Sequence, residues 1–300
     1  MYKISFILVN YCGAFDTIAC IESILENSTD ITKEIVVIDN ASPYKGVYDI
    51  IKTFEVATSL AKASQDFQKF ENLDCIHLSI KNRTQLYIIK NVKNSGFGAA
   101  NNIGIRFSKC SKADICVLLN NDTLVPQTFV SNIIAFLKEK KYKCAFSVMS
   151  RYFSDPTKID SEGFGYVDLY TGRSSHYRHY RYKYLVGSCI IMNSVQTIPL
   201  FDEKFFLYSE DADYSSCLRN AGYVLQYDHM NYFLHKVNAS ASTNLNIEKI
   251  KLRSLVYFMK KHSSFMQYVL FCVLRCSYYL IHFRVVSLSS FISNVWNIRK

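Results

Sequence analysis

The first half of the chain alternates apolar runs with segments of helical spacing. Ile4–Val9 is almost unbroken apolar sequence ending at polar Asn10, as in a strand buried on both faces. Asp16–Glu26 then carries Ile18, Ile21, Ile24 and Leu25 at helical spacing. Glu34–Ile38 predicts a second buried strand, ending at Asp39-Asn40. Val47–Phe70 puts Val47, Ile50, Ile51, Phe54, Leu60, Phe67 and Phe70 on one stripe and predicts a long helix. Residues 71–84 fit neither period. Leu86–Ile89 predicts a third strand, Ala99–Phe107 a helix, and Ile115–Leu119 a fourth strand ending at Asn120-Asn121-Asp122. Pro126 suits the start of a helix running to about Lys138, and Cys144–Val148 a fifth strand. The second half is less regular. Tyr184–Met192 is an apolar strand candidate interrupted by Gly187-Ser188. Glu210–Asn220 predicts a helix, with Gly222 at its C′ position.

Strand–helix alternation implies an α/β fold with right-handed crossovers and a mainly parallel sheet flanked by helices. Ligands of such sheets bind beyond the carboxyl ends of the strands. Asn10, Asp39, Asn94 and Asp122 all fall just after predicted strand ends, so four polar clusters converge on one edge. Residues 1–125 form the expected nucleotide-side half, 126–240 the second half of the same domain, and 241–300 a helical tail.

Composition adds a compartment and a surface. The net charge is +10, and nearly all of it sits at the C-terminus: residues 249–300 hold nine basic and no acidic residues, mixed with aromatics such as Phe265, Tyr278 and Trp296. Arg275 and Arg284 interrupt the apolar run. A helix lying on an anionic membrane surface fits 265–298, and an ordinary packing helix fits 249–263 equally well. The segment is too apolar for a nucleic-acid arm and no nucleic-acid module is visible. Ten scattered cysteines without CxxC pairs favour a reducing, cytoplasmic compartment. The apolar N-terminus is too short for a signal peptide, and no stretch reaches the length of a spanning helix.

Four clusters carry candidate chemistry, each with a plainer alternative. Asn120-Asn121-Asp122 suits a hard divalent cation that shares diphosphate oxygens, or, taken alone, more readily an Asx turn capping the next helix. Glu210-Asp211-x-Asp213 suits a carboxylate base in a partly apolar wall, or acidic residues meeting a helix dipole. The Gly-rich turn Asn94–Gly104 lets backbone approach a ligand or simply turns tightly; it lacks GxGxxG, so a nicotinamide dinucleotide is not expected. His235 follows an apolar run and gains meaning only beside Asp122.

Together these pieces resemble the bacterial family 2 glycosyltransferases of GT-A (Rossmann-like) fold, the rhamnosyltransferase-like subset in particular. The matching segments are FILVNY (6–11), IVVIDNAS (35–42), NSGFGAANNIGI (94–105), LLNNDT (118–123), LVGSCIIM (185–192), FDEKFFLYSEDADYSSCLRNAGY (201–223) and the late His235, in family order. The resemblance implies an inverting transfer of a sugar from a nucleoside-diphosphate donor to a glycan or polyprenyl-diphosphate-linked acceptor, as in O-antigen or capsule synthesis, at the inner face of the cell membrane. It implies that Asp39 meets the nucleotide base, with Asn10 and Tyr11 lining its pocket. Asn94, Gly96 and Asn101 would lie near nucleotide and sugar, with Asn121 beside them. Asp122 would hold Mg²⁺ or Mn²⁺, with His235 completing the coordination. Gly187 and Ser188 would flank sugar and acceptor. Asp211 would be the catalytic base, with Glu210 beside it.

Two departures stand out. Only one carboxylate occupies the metal motif at 120–122, so metal binding leans on diphosphate and water. The Asp39–Asn94 segment exceeds an ordinary βαβ connection by roughly twenty residues. A sugar-activating nucleotidyltransferase would share the nucleotide and metal features but lack the Glu210-Asp211 pair; a non-catalytic scaffold would explain the single carboxylate. The run Arg173–Tyr184, with Arg178 and Arg181, is a candidate for acceptor choice.

Overall fold

The computed structural model describes residues 2–27, 31–43, 45–58, 66–80, 83–177, 180, 182–236, 245–282 and 285–297. The first half contains β1 (Lys3–Asn10), α1 (Ala14–Leu25), β2 (Thr32–Asp39), α2 (Lys45–Thr58), β3 (Asp66–Phe70), β4 (Leu73–Ile80), β5 (Thr84–Lys90) and α3 (Phe97–Cys110). Then come β6 (Ile115–Asn120), β7 (Thr123–Leu124), α4 (Phe129–Lys138), β8 (Cys144–Tyr152), β9 (Ile159–Ser161), β10 (Phe164–Val167) and β11 (Ser174–Ser175). The remainder is β12 (Tyr182–Leu185), β13 (Cys189–Asn193), α5 (Glu210–Asn220), β14 (Val224–His235), α6 (Leu245–His262), α7 (Phe265–Ile281) and α8 (Val285–Asn297).

The main sheet runs β3-β4-β5-β2-β1-β6-β13-β8-β14-β7, with β9 against β8; β11-β10-β12 form a separate small sheet. Its centre, β5-β2-β1-β6, is parallel. The pleat divides the core. Ile4, Phe6 and Leu8 face the layer of α1, α2 and α4, while Ile7 faces α3 and α5. The expected α/β architecture therefore holds. The strand candidate at 184–192 is two strands in different sheets, and the break at Gly187-Ser188 is where the chain crosses between them.

The long helix expected over 47–70 is corrected. Helix α2 ends at Thr58, and 66–70 is strand β3; Leu60 lies outside the described residues. The cause is a two-residue turn: Glu71 and Asn72 both take positive φ (51° and 67°), and Phe70 pairs with Leu73. This matches a type I′ hairpin, and the hairpin satisfies a backbone ladder that an isolated helix end would not. The long Asp39–Asn94 connection is thus an edge hairpin added beside β5.

Helix α6 is no loose tail. Leu252, Val256, Phe258 and Met259 are buried in one cluster with Tyr184, Phe205 and Ala212 of the preceding half. The 240/241 junction lies outside the described residues. Among the described residues no helix is long and apolar enough to cross a membrane.

Candidate active site

Register in the parallel sheet sets the first contacts. Asn10 sits opposite Asp39, and Val9 opposite Asn120, so three strand ends share one edge. Asn10 is fully buried. Its Nδ2 donates to Asp39 Oδ1 (2.8 Å), and its Oδ1 accepts from Thr17 Oγ1 (3.0 Å). Asn121 Nδ2 donates to Thr17 Oγ1 (2.9 Å), while the Ser42 amide donates to Asp39 Oδ2 (3.2 Å). A continuous network therefore runs from Asp39 through Asn10 and Thr17 to Asn121. Thr17 and Ser42 escape sequence reading because a lone hydroxyl carries no pattern. Tyr11 stands at the rim, half exposed.

The Gly-rich turn is held from behind by Asn40, a third residue not singled out by sequence. Its Nδ2 donates to Asn94 Oδ1 (2.9 Å), and its Oδ1 accepts from Asn91 Nδ2 (3.0 Å) and the Ser95 amide (3.1 Å). Gly96 has φ +89°, and a Cβ there would lie 2.3 Å from the Phe206 carbonyl oxygen. The Phe97 amide donates to that same oxygen (2.9 Å). Asn102 clasps the backbone of Phe201 through both ends of its amide (2.7 and 3.1 Å). The turn thus fastens the 201–206 loop that leads into Glu210-Asp211. Asn101 is buried with its Nδ2 on the Phe97 carbonyl (3.0 Å), an intrahelical contact.

Asp122 and His235 meet in space. Strand β14 ends beside β7, with His235 opposite Thr123. His235 Nε2 lies 3.3 Å from Asp122 Oδ1, and its Nδ1 3.3 Å from Asp160 Oδ2. Burial disfavours charge on this imidazole, but the two flanking carboxylates outweigh it and lift its pKa to about 9. Asp160, missed by sequence reading, is held below the usual carboxylate range: burial raises it, and His235 and Ser150 more than offset that.

Fit to a divalent cation rests on two orphaned oxygens. Asn120 Oδ1 and Asp122 Oδ1 are both buried without a hydrogen-bond partner; the His235 contact to Asp122 is an ion-pair distance only. Hard oxygen donors left unsatisfied two residues apart in sequence suit Mg²⁺ or Mn²⁺. Among the described residues no group of three or more His, Cys, Asp or Glu side chains is arranged to hold a metal. The protein would therefore supply few ligands, leaving room for phosphate oxygens.

The acidic pair starts α5 after two strained residues, Tyr208 and Ser209, at φ 69° and 64°. Asp211 Oδ2 accepts the Gly187 amide (3.1 Å) and Oδ1 its neighbour Ala212's amide (2.8 Å). Burial raises the Asp211 pKa, and the two amides and the charge of His176 oppose that. Glu210 is buried with Oε2 unpartnered. Burial, then the Asp211 charge, push its pKa up to about 8. Both carboxyls are therefore held above the usual carboxylate range, Glu210 under the added push of the Asp211 charge. The Ser188 carbonyl accepts the Asn120 amide (2.9 Å). Gly187-Ser188 thus ties Asp211 to the 120–122 segment. Arg178 and Arg181 lie outside the described residues.

Solved structures share this fold. A mannosyltransferase from Pyrobaculum calidifontis, solved with GDP-Man and Mn²⁺, superposes at TM-score 0.56 with 15% identity, over 98% of this chain and 74% of that one. S. aureus TarS 1–349 with UDP matches at TM-score 0.51 and 13% identity, over 92% of this chain and 72% of that one. At such identities the likeness shows the shared fold. No sequence among curated proteins matches. The family model of glycosyl transferase family 2 matches residues 5–195. That span covers more than half the chain and holds Asp39, the Gly-rich turn, Asp122 and Gly187-Ser188, so the chain belongs to glycosyltransferase family 2.

Proposed function

We propose that the protein is a metal-assisted inverting glycosyltransferase that moves a sugar from a nucleoside-diphosphate donor to a hydroxyl of a glycan or lipid-linked acceptor. The observation that carries it is the Gly187 amide on Asp211 Oδ2, in a segment whose next residue is bonded to Asn120. A base and a diphosphate site are thereby set on one rigid backbone link. Asp211 takes the acceptor proton. The acceptor oxygen bonds to the anomeric carbon as the bond to the diphosphate breaks on the opposite face, inverting that centre. Burial and the Asp211 charge both oppose ionisation of Glu210 beside it. Asp122, with Asn120 and His235 near it, would hold Mg²⁺ or Mn²⁺, which supplies charge stabilisation to the departing diphosphate. Asp39, Asn10 and Tyr11 line the base side; Asn94, Gly96, Asn101 and Asn121 border nucleotide and sugar.

A peripheral position on the inner face of the cell membrane is part of this reading, as is a role in surface-polysaccharide synthesis of O-antigen or capsule type. Support for the membrane comes from α7, which exposes Phe265, Met266, Val273 and Ile281, and from the sequence of 249–300, which carries nine basic and no acidic residues.

The test is a donor screen with UDP-, GDP- and dTDP-sugars, with and without Mn²⁺, on wild type, Asp122→Ala and Asp211→Asn. One nucleotide class is expected to bind with metal only, Asp122→Ala to lose that binding, and Asp211→Asn to bind without turnover. Turnover surviving in Asp211→Asn would remove the proposed base.

A further inference from the structure

A cavity of about 440 Å³ opens between the 168–173 turn and α7, lined by Thr171, Arg173, Leu274, Arg275, Tyr278 and Tyr279. None of these residues belongs to the transfer site. The turn is pressed against the helix: a Cβ on Gly172 would lie 2.7 Å from the Phe271 ring. Arg275 donates to the Thr171 carbonyl (3.3 Å) and sits 5.7 Å over the Phe271 ring. These contacts fix one guanidinium at the cavity wall. Arg173 lines the same cavity from an exposed position.

Among the described residues no carboxylate lines the cavity. Among the described residues neither guanidinium forms an ion pair with a carboxylate. The carboxylate of that turn, Asp168, is engaged by the Tyr170 amide (2.9 Å) and the Thr171 hydroxyl (2.9 Å). Two guanidiniums beside one cavity repel each other, and each presents a donor fork matched to phosphate oxygens. An anion in the cavity would offset both charges and accept from guanidinium N–H groups other than the one that Arg275 gives to Thr171.

The cavity also continues into apolar surface. Met266, Leu270, Leu274, Tyr278 and Ile281 recur at helical spacing on α7, and all are exposed. Leu274 and Tyr278 belong to both this stripe and the cavity wall. An inorganic anion would use the arginines and leave the stripe bare. An amphiphile uses both.

We propose that this cavity binds the phosphorylated headgroup of a membrane lipid, a phosphate or diphosphate ester of a long hydrocarbon chain, with the chain lying along the α7 stripe. The proposal rests on the membrane-peripheral reading for the source of the ligand. Occupation would seat α7 on the bilayer through one specific contact rather than through diffuse charge.

The test is equilibrium binding of farnesyl diphosphate, farnesol and inorganic pyrophosphate to the full chain, alongside partition onto phosphatidylcholine vesicles with and without phosphatidylglycerol. Farnesyl diphosphate is expected to saturate one site and to bind at least about tenfold more tightly than either fragment, since a charge-assisted contact and the apolar stripe each contribute that much. Arg173→Glu, at an exposed position, is expected to weaken it at least about tenfold. Arg275→Lys should weaken it less, while donor-nucleotide affinity stays at the wild-type value in both. Equal affinity for pyrophosphate or farnesol, or an unchanged Arg173→Glu variant, overturns the proposal. Vesicle partition without saturable farnesyl diphosphate binding sinks the cavity and leaves the peripheral reading standing. Saturable binding without partition does the reverse.

Discussion

The Gly187 amide donates to Asp211 Oδ2 at 3.1 Å, and no side chain stands between them. A Cβ at 187 would lie 3.0 Å from Asp211 Cβ, closer than real Cβ contacts usually allow. Gly187→Ala must therefore push the carboxylate or the β12–β13 crossover aside. Turnover is expected to fall by about 10²-fold, the usual cost of displacing a catalytic group by an ångström. Donor affinity should stay near wild type, because the nucleotide side is built from β1 and β2. Single-turnover kinetics beside donor titration separates the two; a parallel loss of donor binding would mean that 187 shapes the donor pocket instead.

Glu210 gives the fold a pH signature. Burial raises its pKa from an ordinary 4.5 to about 8, so between those values the folded chain holds one more proton than the unfolded chain. Stability linked to this group is complete below about 4.5 and is lost as pH rises through about 8, with a slope of at most about 1.4 kcal/mol per pH unit. Glu210→Gln removes the ionisation and is expected to flatten the urea-midpoint profile over that window. A profile unchanged in the variant would place the extra proton elsewhere.

Gly96 is a second position where only glycine fits. Its φ of +89° is a left-handed conformation, and the Phe206 carbonyl leaves no room for a side chain. Gly96→Ala is expected to cost about 2–4 kcal/mol from strain plus overpacking. Since the same contact anchors the loop before Glu210-Asp211, residual activity should fall further than the unfolded fraction accounts for. Thermal unfolding and specific activity, measured on the same preparation, would show the difference.

The strand ends are legible in sequence because buried parallel strands stay apolar on both faces, so the polar residues ending β1, β2 and β6 mark one edge of the sheet, where the candidate site lies. His235 gains meaning in sequence only beside Asp122, and β14 brings it there by pairing with β7. Other partners were hidden. Asp160, Thr17 and Asn40 act through contacts 75, 104 and 54 residues away in sequence, and no local pattern records such distances. The 66–70 strand was misread because Phe67 and Phe70, three apart, continue a helical stripe. The signal against it was Asn72, a residue tolerant of positive φ, in the two-residue turn.

The C-terminal segment is bound to the catalytic half by charge as well as by core. Asp213, in the first turn of α5, is 1% exposed and is met by Lys261 Nζ at 2.7 Å and His262 Nε2 at 2.6 Å. Burial lowers the Lys261 pKa, but Asp202 and Asp213 outweigh it and hold it above the usual lysine range. Removing both α6 partners leaves a buried carboxylate uncompensated two residues from Asp211. Lys261→Ala with His262→Ala is expected to cost about 3–5 kcal/mol, the range for breaking a buried pair from one side. Adding Asp213→Asn to that double variant should recover part of the loss, because the buried charge goes with it. Chemical denaturation of the three proteins decides the matter. A triple variant no more stable than the double would mean that the buried Asp213 charge is not what the double variant leaves uncompensated.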